Sequence, residues 1–155
     1  MTSQTFLVSC LVVFTSLRFS NSAVAQQFQT VRTTAYTHSE ADHLKYGRKT
    51  ASGSVLRFSR EYSSAAADWS QFPLGTKFRI KGQPTIYVID DYGSALVGTR
   101  TIDIYQPTTR AMNTWGVQIV EIEILEDGCF RKSKALLSGR LQFAHCRQMF
   151  DNIDG

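Results

Sequence analysis

A mainly β fold, a small closed or nearly closed barrel, is what this sequence predicts, and three observations predict it. Six short runs of β pattern lie between Gln29 and Leu125, each set off by turn residues. One internal stretch carries helix start and stop signals. The whole chain is 155 residues, enough for one domain and too few for two ordinary ones.

The elements follow in order. In Gln29–Thr37, Val31, Thr33 and Ala35 alternate with Arg32, Thr34 and Tyr36, the period of a half-buried strand. Residues 46–54 (YGRKTASGS) hold two glycines and read as a loop. Ser63–Asp68 is a strand of small residues; 72–75 (FPLG) is a turn, and Thr76–Ile80 resumes a strand. Thr85–Asp90 is continuous and apolar, as a strand covered on both faces would be. Ile102–Tyr105 is a further short strand. Pro107 and Thr108 then open a helix whose Ala111, Met112 and Trp115 share a face, and Gly116 stops it. Val117–Leu125 alternates again, with Val117, Ile119, Ile122 and Ile124 apolar around a phase shift at Val120, leaving Glu121 and Glu123 to solvent. From Lys134 to Phe150, Leu137, Leu141, Ala144 and Gln148 fall on one track of a single tail helix.

Residues 1–25 have the form of an export signal: an apolar run from Phe6 to Leu17, then Ala23-Val24-Ala25 ahead of Gln26. No Lys or Arg precedes the run, so only the α-amine charges its front. Export places the protein in the periplasm, at the outer membrane or outside the cell. The expected division is therefore a signal over 1–25, a barrel domain over 26–128 and a basic helical tail over 129–155. Cys129 and Cys146 are then the cysteines left, and an oxidising compartment favours a disulfide between them. No paired CxxC or His spacing accompanies them, so a zinc site is not expected, and neither is any other cofactor. Residues 26–128 balance eleven Lys/Arg against eleven Asp/Glu, so the basic excess lies in the tail. It suits weak attraction to an anionic envelope polymer or a solvated helix face. Nucleic acid fits poorly, because no basic stripe is interleaved with aromatics.

The chemistry-bearing residues are three aspartates in glycine-rich, strand-flanked contexts: Asp68 in AAADWSQFPLGT, Asp91 in IDDYGSALVG and Asp103 in TIDIYQP. Carboxylates held close together in partial burial can keep a proton near neutral pH. Asp103 stands between Ile102 and Ile104, where a carboxylate without a partner is costly. Asp68 precedes a turn and suits an Asx cap as well as a site. Asp90 and Asp91 are neighbours and face opposite sides of an ideal strand, which leaves Asp90 as the turn or surface residue. His38, Asp42 and His43 form a polar loop.

The ordered segments TAY (34–36), YGRKTASG (46–53), AAAD…FPLGTKF (65–78), DYGSALVG (91–98), IDIYQP (102–107) and WGVQIVEIEIL (115–125) resemble the three-aspartate, or 3D, domain. That family is related to the catalytic barrel of the murein lytic transglycosylase A family. The resemblance runs from about Val31 to Leu125. It implies a double-psi β-barrel acting on peptidoglycan at the bond between N-acetylmuramic acid and N-acetylglucosamine. It makes Asp103 the catalytic acid, with Asp91 and Asp68 as partners in the groove. Tyr36, Thr50, Ser52, Gly93 and Gly98 fall where substrate would be bound; a plain turn at 50–53 stays open, and aromatics such as Tyr36 and Trp69 are more often core or rim residues in small barrels than sugar platforms. Gly93 and Gly98 are expected at positive φ or at a close backbone approach. The sequence departs from the family's usual DTGGAIKG at Tyr92, Ser94 and Val97, and Arg100 is a candidate to replace the missing lysine charge. The implied activity is a lytic cleavage of wall glycan; the competing reading is a wall-loosening, glycan-binding module of the expansin type. A third, an aspartic protease half-site at 91–94 (DYGS), is opposed by Tyr92 in the threonine position.

Overall fold

The structure, a computed structural model, describes residues 28–41 and 43–153. The expected export signal and Asp42 of the polar loop lie outside the described residues. Six strands form: β1 (Phe28–Tyr36), β2 (Ser63–Ala66), β3 (Lys77–Ile80), β4 (Ile86–Asp91), β5 (Thr101–Tyr105) and β6 (Gln118–Glu126). Each begins and ends within two residues of where the alternation and turn residues place it. They close into a barrel in the order β1-β5-β2-β4-β3-β6. The pairs β1–β5 and β2–β4 are parallel; the other four are antiparallel.

The barrel is filled by the apolar phase of each strand. Val31, Ala65, Phe78, Ile80, Tyr87, Ile89, Ile102, Ile104 and Ile122 form one buried cluster, and burying each large side chain contributes about 1.5–3 kcal/mol. On β6 the inward set is Val120, Ile122 and Ile124 in unbroken alternation. The expected phase shift at Val120 does not occur, and Val117 and Ile119 are exposed, Ile119 by 69%. Register decides this: Ile122 pairs with Ile80 and with Gln29, so β6 has no freedom to slip. Glu121 and Glu123 do fall on the outer side, Glu121 paired with Lys81.

The internal helix, α1 (Thr109–Trp115), starts at Thr108, whose hydroxyl accepts from the Ala111 N–H, and ends at Gly116 with φ 61°. The tail carries two helices rather than one: α2 (Phe130–Ser138) and α3 (Ala144–Asn152). Gly139 caps the first, and the chain reverses so that α2 and α3 pack on each other. Leu137, Cys146 and Met149 are fully buried against Trp69 and Phe72. The join to the barrel is tight at Gly128, where a Cβ would lie 2.2 Å from the Pro73 carbonyl oxygen. Cys129 and Cys146, expected to bridge, are both free thiols. Cys146 instead lies in the core with its Sγ donating to the Tyr92 hydroxyl. Two of the five tail cations are engaged with backbone: Arg140 with the Ala51 carbonyl and Arg147 with that of Leu141.

Candidate functional site

A β-bulge builds the site. On β2, Ala65 pairs with Ile89, but Ala66 pairs with Asp91, so Asp90 is an extra residue in β4. A bulge of this kind breaks the in-out alternation and turns neighbouring side chains toward one side. Asp90 and Asp91 therefore share a face, contrary to the expectation that Asp90 points away as a surface residue. Asp90 is in fact only 6% exposed. On the other flank of β2, Ala66 pairs with Asp103. Asp91 and Asp103 thus sit on either side of one alanine, two strand spacings or roughly 10 Å apart at Cα.

This row lies on the outside of the barrel wall, because Ile102 and Ile104 on either side of Asp103 point into the core. A smaller cluster of Tyr36, Leu56, Ala66, Leu96 and Tyr105 covers it. Thr34 and Tyr36 of β1 reach the row from the parallel partner strand. Thr34 pairs with Asp103 in register, and its hydroxyl donates to Asp103 Oδ1 at 2.7 Å. The Tyr36 hydroxyl donates to Asp91 Oδ2 at 3.1 Å.

The three carboxyl groups differ electrostatically. Asp103 is half-buried, and burial pushes its pKa up to about 6. The Thr34 bond opposes that rise; Glu40 and Asp91 add to it, and Arg32 opposes it. Asp90 is raised to about 7, again chiefly by burial, with the Ser64 hydroxyl bond (2.8 Å) opposing and Asp91 adding to the rise. Its other oxygen, Oδ1, is sealed and has no partner among the described residues. Asp91 is also raised by burial, but the N–H groups of Ala51 (2.8 Å) and Tyr92 (2.9 Å), the nearby His43 and the Tyr36 hydroxyl all favour its charged form. Asp91 is the member of the set held by donors on both oxygens. Burial and then the Asp91 charge lift the Tyr36 hydroxyl well above its ordinary range, so it remains a donor.

The segment 50–54 (TASGS) crosses the bulge. Ala51 N–H holds Asp91, Ser52 N–H donates to the Asp90 carbonyl at 3.1 Å, and the hydroxyls of Thr50, Ser52 and Ser54 contact one another. The tail braces this segment from behind. Arg140 donates to the Ala51 carbonyl (2.8 Å) and to the Tyr92 hydroxyl (3.2 Å), and the Tyr92 ring stands edge-on to Trp69 at 5.0 Å. Tyr92, a departure from the family pattern, is thus the anchor between tail and site.

The structure brings Asp91 and Asp103 together and sets Asp68 elsewhere. Asp68 is fully buried and satisfied: Oδ1 accepts from Ser70 N–H and Oγ, and Oδ2 accepts from the Gly98 N–H at 2.7 Å. It ties two loops, as an Asx cap does. Gly98 has φ 79° as expected, whereas Gly93 is extended at φ −131°. Tyr36 presents its hydroxyl rather than a ring face, being packed between Tyr105 and His43. Trp69 is wholly core, with its indole N–H on the Asp91 carbonyl. Thr50 is buried, while Ser52 remains partly open on the loop. Arg100 bonds Gln29 and lies over Phe72, so it supplies no charge in place of the lysine. Sequence reasoning passed over Asp90, Thr34, Glu40 and Arg140. Strand register places Thr34, the bulge places Asp90, and loop and tail packing place Glu40 and Arg140; none of these leaves a mark on the sequence. Among the described residues, no group of three or more His, Cys, Asp or Glu is set to hold a metal ion.

The family model of the 3D domain matches residues 63–126, which takes in Asp68, Asp90, Asp91 and Asp103. That stretch is similar to the 3D domain. β1 and segment 50–54, which complete the site, precede the matched residues, and the tail follows them. Among solved structures, the chain is similar to MltA from E. coli, with 26% identity and a TM-score of 0.38; the match covers 52% of this chain and 28% of that one. The chain therefore spans little more than a quarter of MltA. No curated protein matches it.

Proposed function

We propose that the 3D domain and β1 form the acid/base site of an exported enzyme that cleaves the glycan strands of peptidoglycan in the manner of a lytic transglycosylase. The observation that carries this reading is Asp103: a partly buried carboxyl group with a pKa of about 6, in register across Ala66 from a fully hydrogen-bonded Asp91. At pH 7 roughly a tenth of such a group carries its proton, against about a thousandth for an ordinary aspartate. Glycosidic cleavage requires that proton on the leaving oxygen as positive charge develops at the sugar carbon. Asp103 donates it, then takes a proton back from the muramyl 6-hydroxyl as a 1,6-anhydro ring closes. One residue acting twice requires no second carboxylate at a fixed separation. Asp91, whose donors oppose the rise that burial imposes, is placed to stabilise the developing cation.

The architecture is consistent with the resemblance: two parallel pairs, β1–β5 and β2–β4, within one closed ring support assignment as a double-psi barrel. Export follows from the apolar run and Ala23-Val24-Ala25.

Murein digested with the protein should release 1,6-anhydromuramyl products by mass spectrometry, and Asp103→Asn should release none. Reducing ends in their place would make the enzyme a hydrolase. A second reading, a non-catalytic wall-loosening module, is favoured by one feature: two concavities of about 530 and 440 Å³ in the surface contain none of the aspartates. Sedimentation with insoluble murein at wild-type strength, with no product from either protein, would establish that reading instead.

A further inference from the structure

Those two concavities adjoin each other where β5 ends and β2, β4 and β6 begin. Both are lined by Gln106 and Trp115. One adds Arg110, Thr108, Thr114 and Gln118; the other adds Arg60, Ser59, Thr85 and Phe58. The lining is selective in its chemistry. It offers amides, hydroxyls and aromatic faces, two guanidinium groups and no carboxylate. Neither Arg60 nor Arg110 has a side-chain hydrogen bond, ion pair or ring contact among the described residues. Phe58 is 53% exposed, and the Trp115 indole N–H is sealed without an acceptor. Unpaired arginines beside the exposed Phe58 and the partly buried Trp115 suit a ligand with both an acid group and a sugar or peptide face.

We propose that this double concavity is a second binding site, specific for an amino sugar bearing a carboxylate, the chemistry of a muramyl residue with its peptide stub. Trp115 and Phe58 pack on the sugar, Gln106 and Gln118 bond its acetamido and hydroxyl groups, and Arg60 and Arg110 pair with the acid. Gln106 lies three residues beyond Asp103 along the chain leaving β5, roughly 10 Å away. A strand held here is delivered toward the aspartates rather than bound on top of them. The class of ligand rests on the wall-glycan reading above; the existence of the site does not.

The chain has two tryptophans, so two indole N–H signals report the two ends of the wall. Trp115 lines the concavities, and Trp69 bonds the Asp91 carbonyl. Titration with N-acetylmuramyl dipeptide should shift the Trp115 signal saturably and leave Trp69 in place. Arg60→Ala combined with Arg110→Ala should weaken binding by about tenfold or more, the loss of one carboxylate–arginine pair being about tenfold. An unmoved Trp69 signal would show that the variant is folded. Asp103→Asn should bind as the wild type does. A silent Trp115, an equal response to neutral chitobiose or to inorganic phosphate alone, or full binding by the double variant would each overturn the proposal. If Trp115 responds while murein yields no product, the proposed activity falls and this site stands. If murein is cleaved and Trp115 is silent, this site falls alone.

Discussion

Replacing Asp90 by Asn should stabilise the protein, and by more as the pH rises. Asp90 is 6% exposed, and its Oδ1 has no partner among the described residues. Folding raises its pKa from 3.8 to about 7, burial being the main cause. Between those two values the native state holds a proton that the unfolded chain has released, so stability falls as pH rises through that window. The contribution is complete below pH 4 and lost above pH 7. At about 1.4 kcal/mol per tenfold in ionisation, the full loss is roughly 4 kcal/mol. Asparagine keeps an acceptor for the Ser64 hydroxyl but places an amide N–H₂ where Oδ1 now lies unpaired, which costs about 1–3 kcal/mol. The net gain above pH 8 is therefore about 1–3 kcal/mol, or roughly 3–8 °C in Tm for a chain of this size. Below pH 4 the sign reverses, since the acid is already neutral and only the unmatched amide remains. Melting of both proteins from pH 3.5 to 9 by circular dichroism measures this directly. Asp103 also loses stability with rising pH, but in both proteins; Asp91 is coupled to Asp90, so the difference reports that adjacent pair. A Tm difference independent of pH would show that Asp90 is not held neutral by burial, and the electrostatic account of the bulge would fail.

Four further outcomes are expected. Thr34→Val removes the 2.7 Å bond that favours ionised Asp103; its pKa should rise by about one unit, and the alkaline limit of murein cleavage should move up with it. A downward move, or none, would detach Thr34 from the acid. Asp68→Ala leaves Ser70 and Gly98 donors unmet in a fully buried place and should cost about 3 kcal/mol in chemical denaturation, while Asp103 still titrates near 6 by carboxyl NMR. Arg140→Ala frees the Ala51 carbonyl and should speed amide exchange at Ala51 and Ser52 by about tenfold, with little change in the barrel strands; uniform exchange rates would mean that the tail does not brace the segment. Gly128→Ala sets a Cβ against backbone at Pro73 and Thr76, and should lose about 3 kcal/mol or more, seen as early melting of α2 and α3.

Much of this protein is written locally. The strands are legible because a barrel wall with one face on the core imposes a period of two, and Val31, Thr33, Ile102 and Ile104 obey it. Thr108 and Gly116 mark α1 because a cap needs only neighbours within one turn. Asp103 stands out because a carboxylate between two buried isoleucines must be accounted for. The rest depends on contacts far apart in the chain. Asp90 joins the site through a bulge that only the pairing with β2 creates, and strict alternation points it the wrong way. Asp68 sits in a motif like its fellows, but a Gly98 N–H thirty residues on takes up its carboxylate. The tail reads as one helical track, and packing on Trp69 and Phe72 makes it two. Sequence alone determined the strands, the cap and the carboxylate set between two isoleucines, since each is fixed by side-chain period or immediate neighbours. Tertiary structure alone decided which carboxylates share a face and which are pushed toward the neutral form, since burial, register and long-range hydrogen bonds set both.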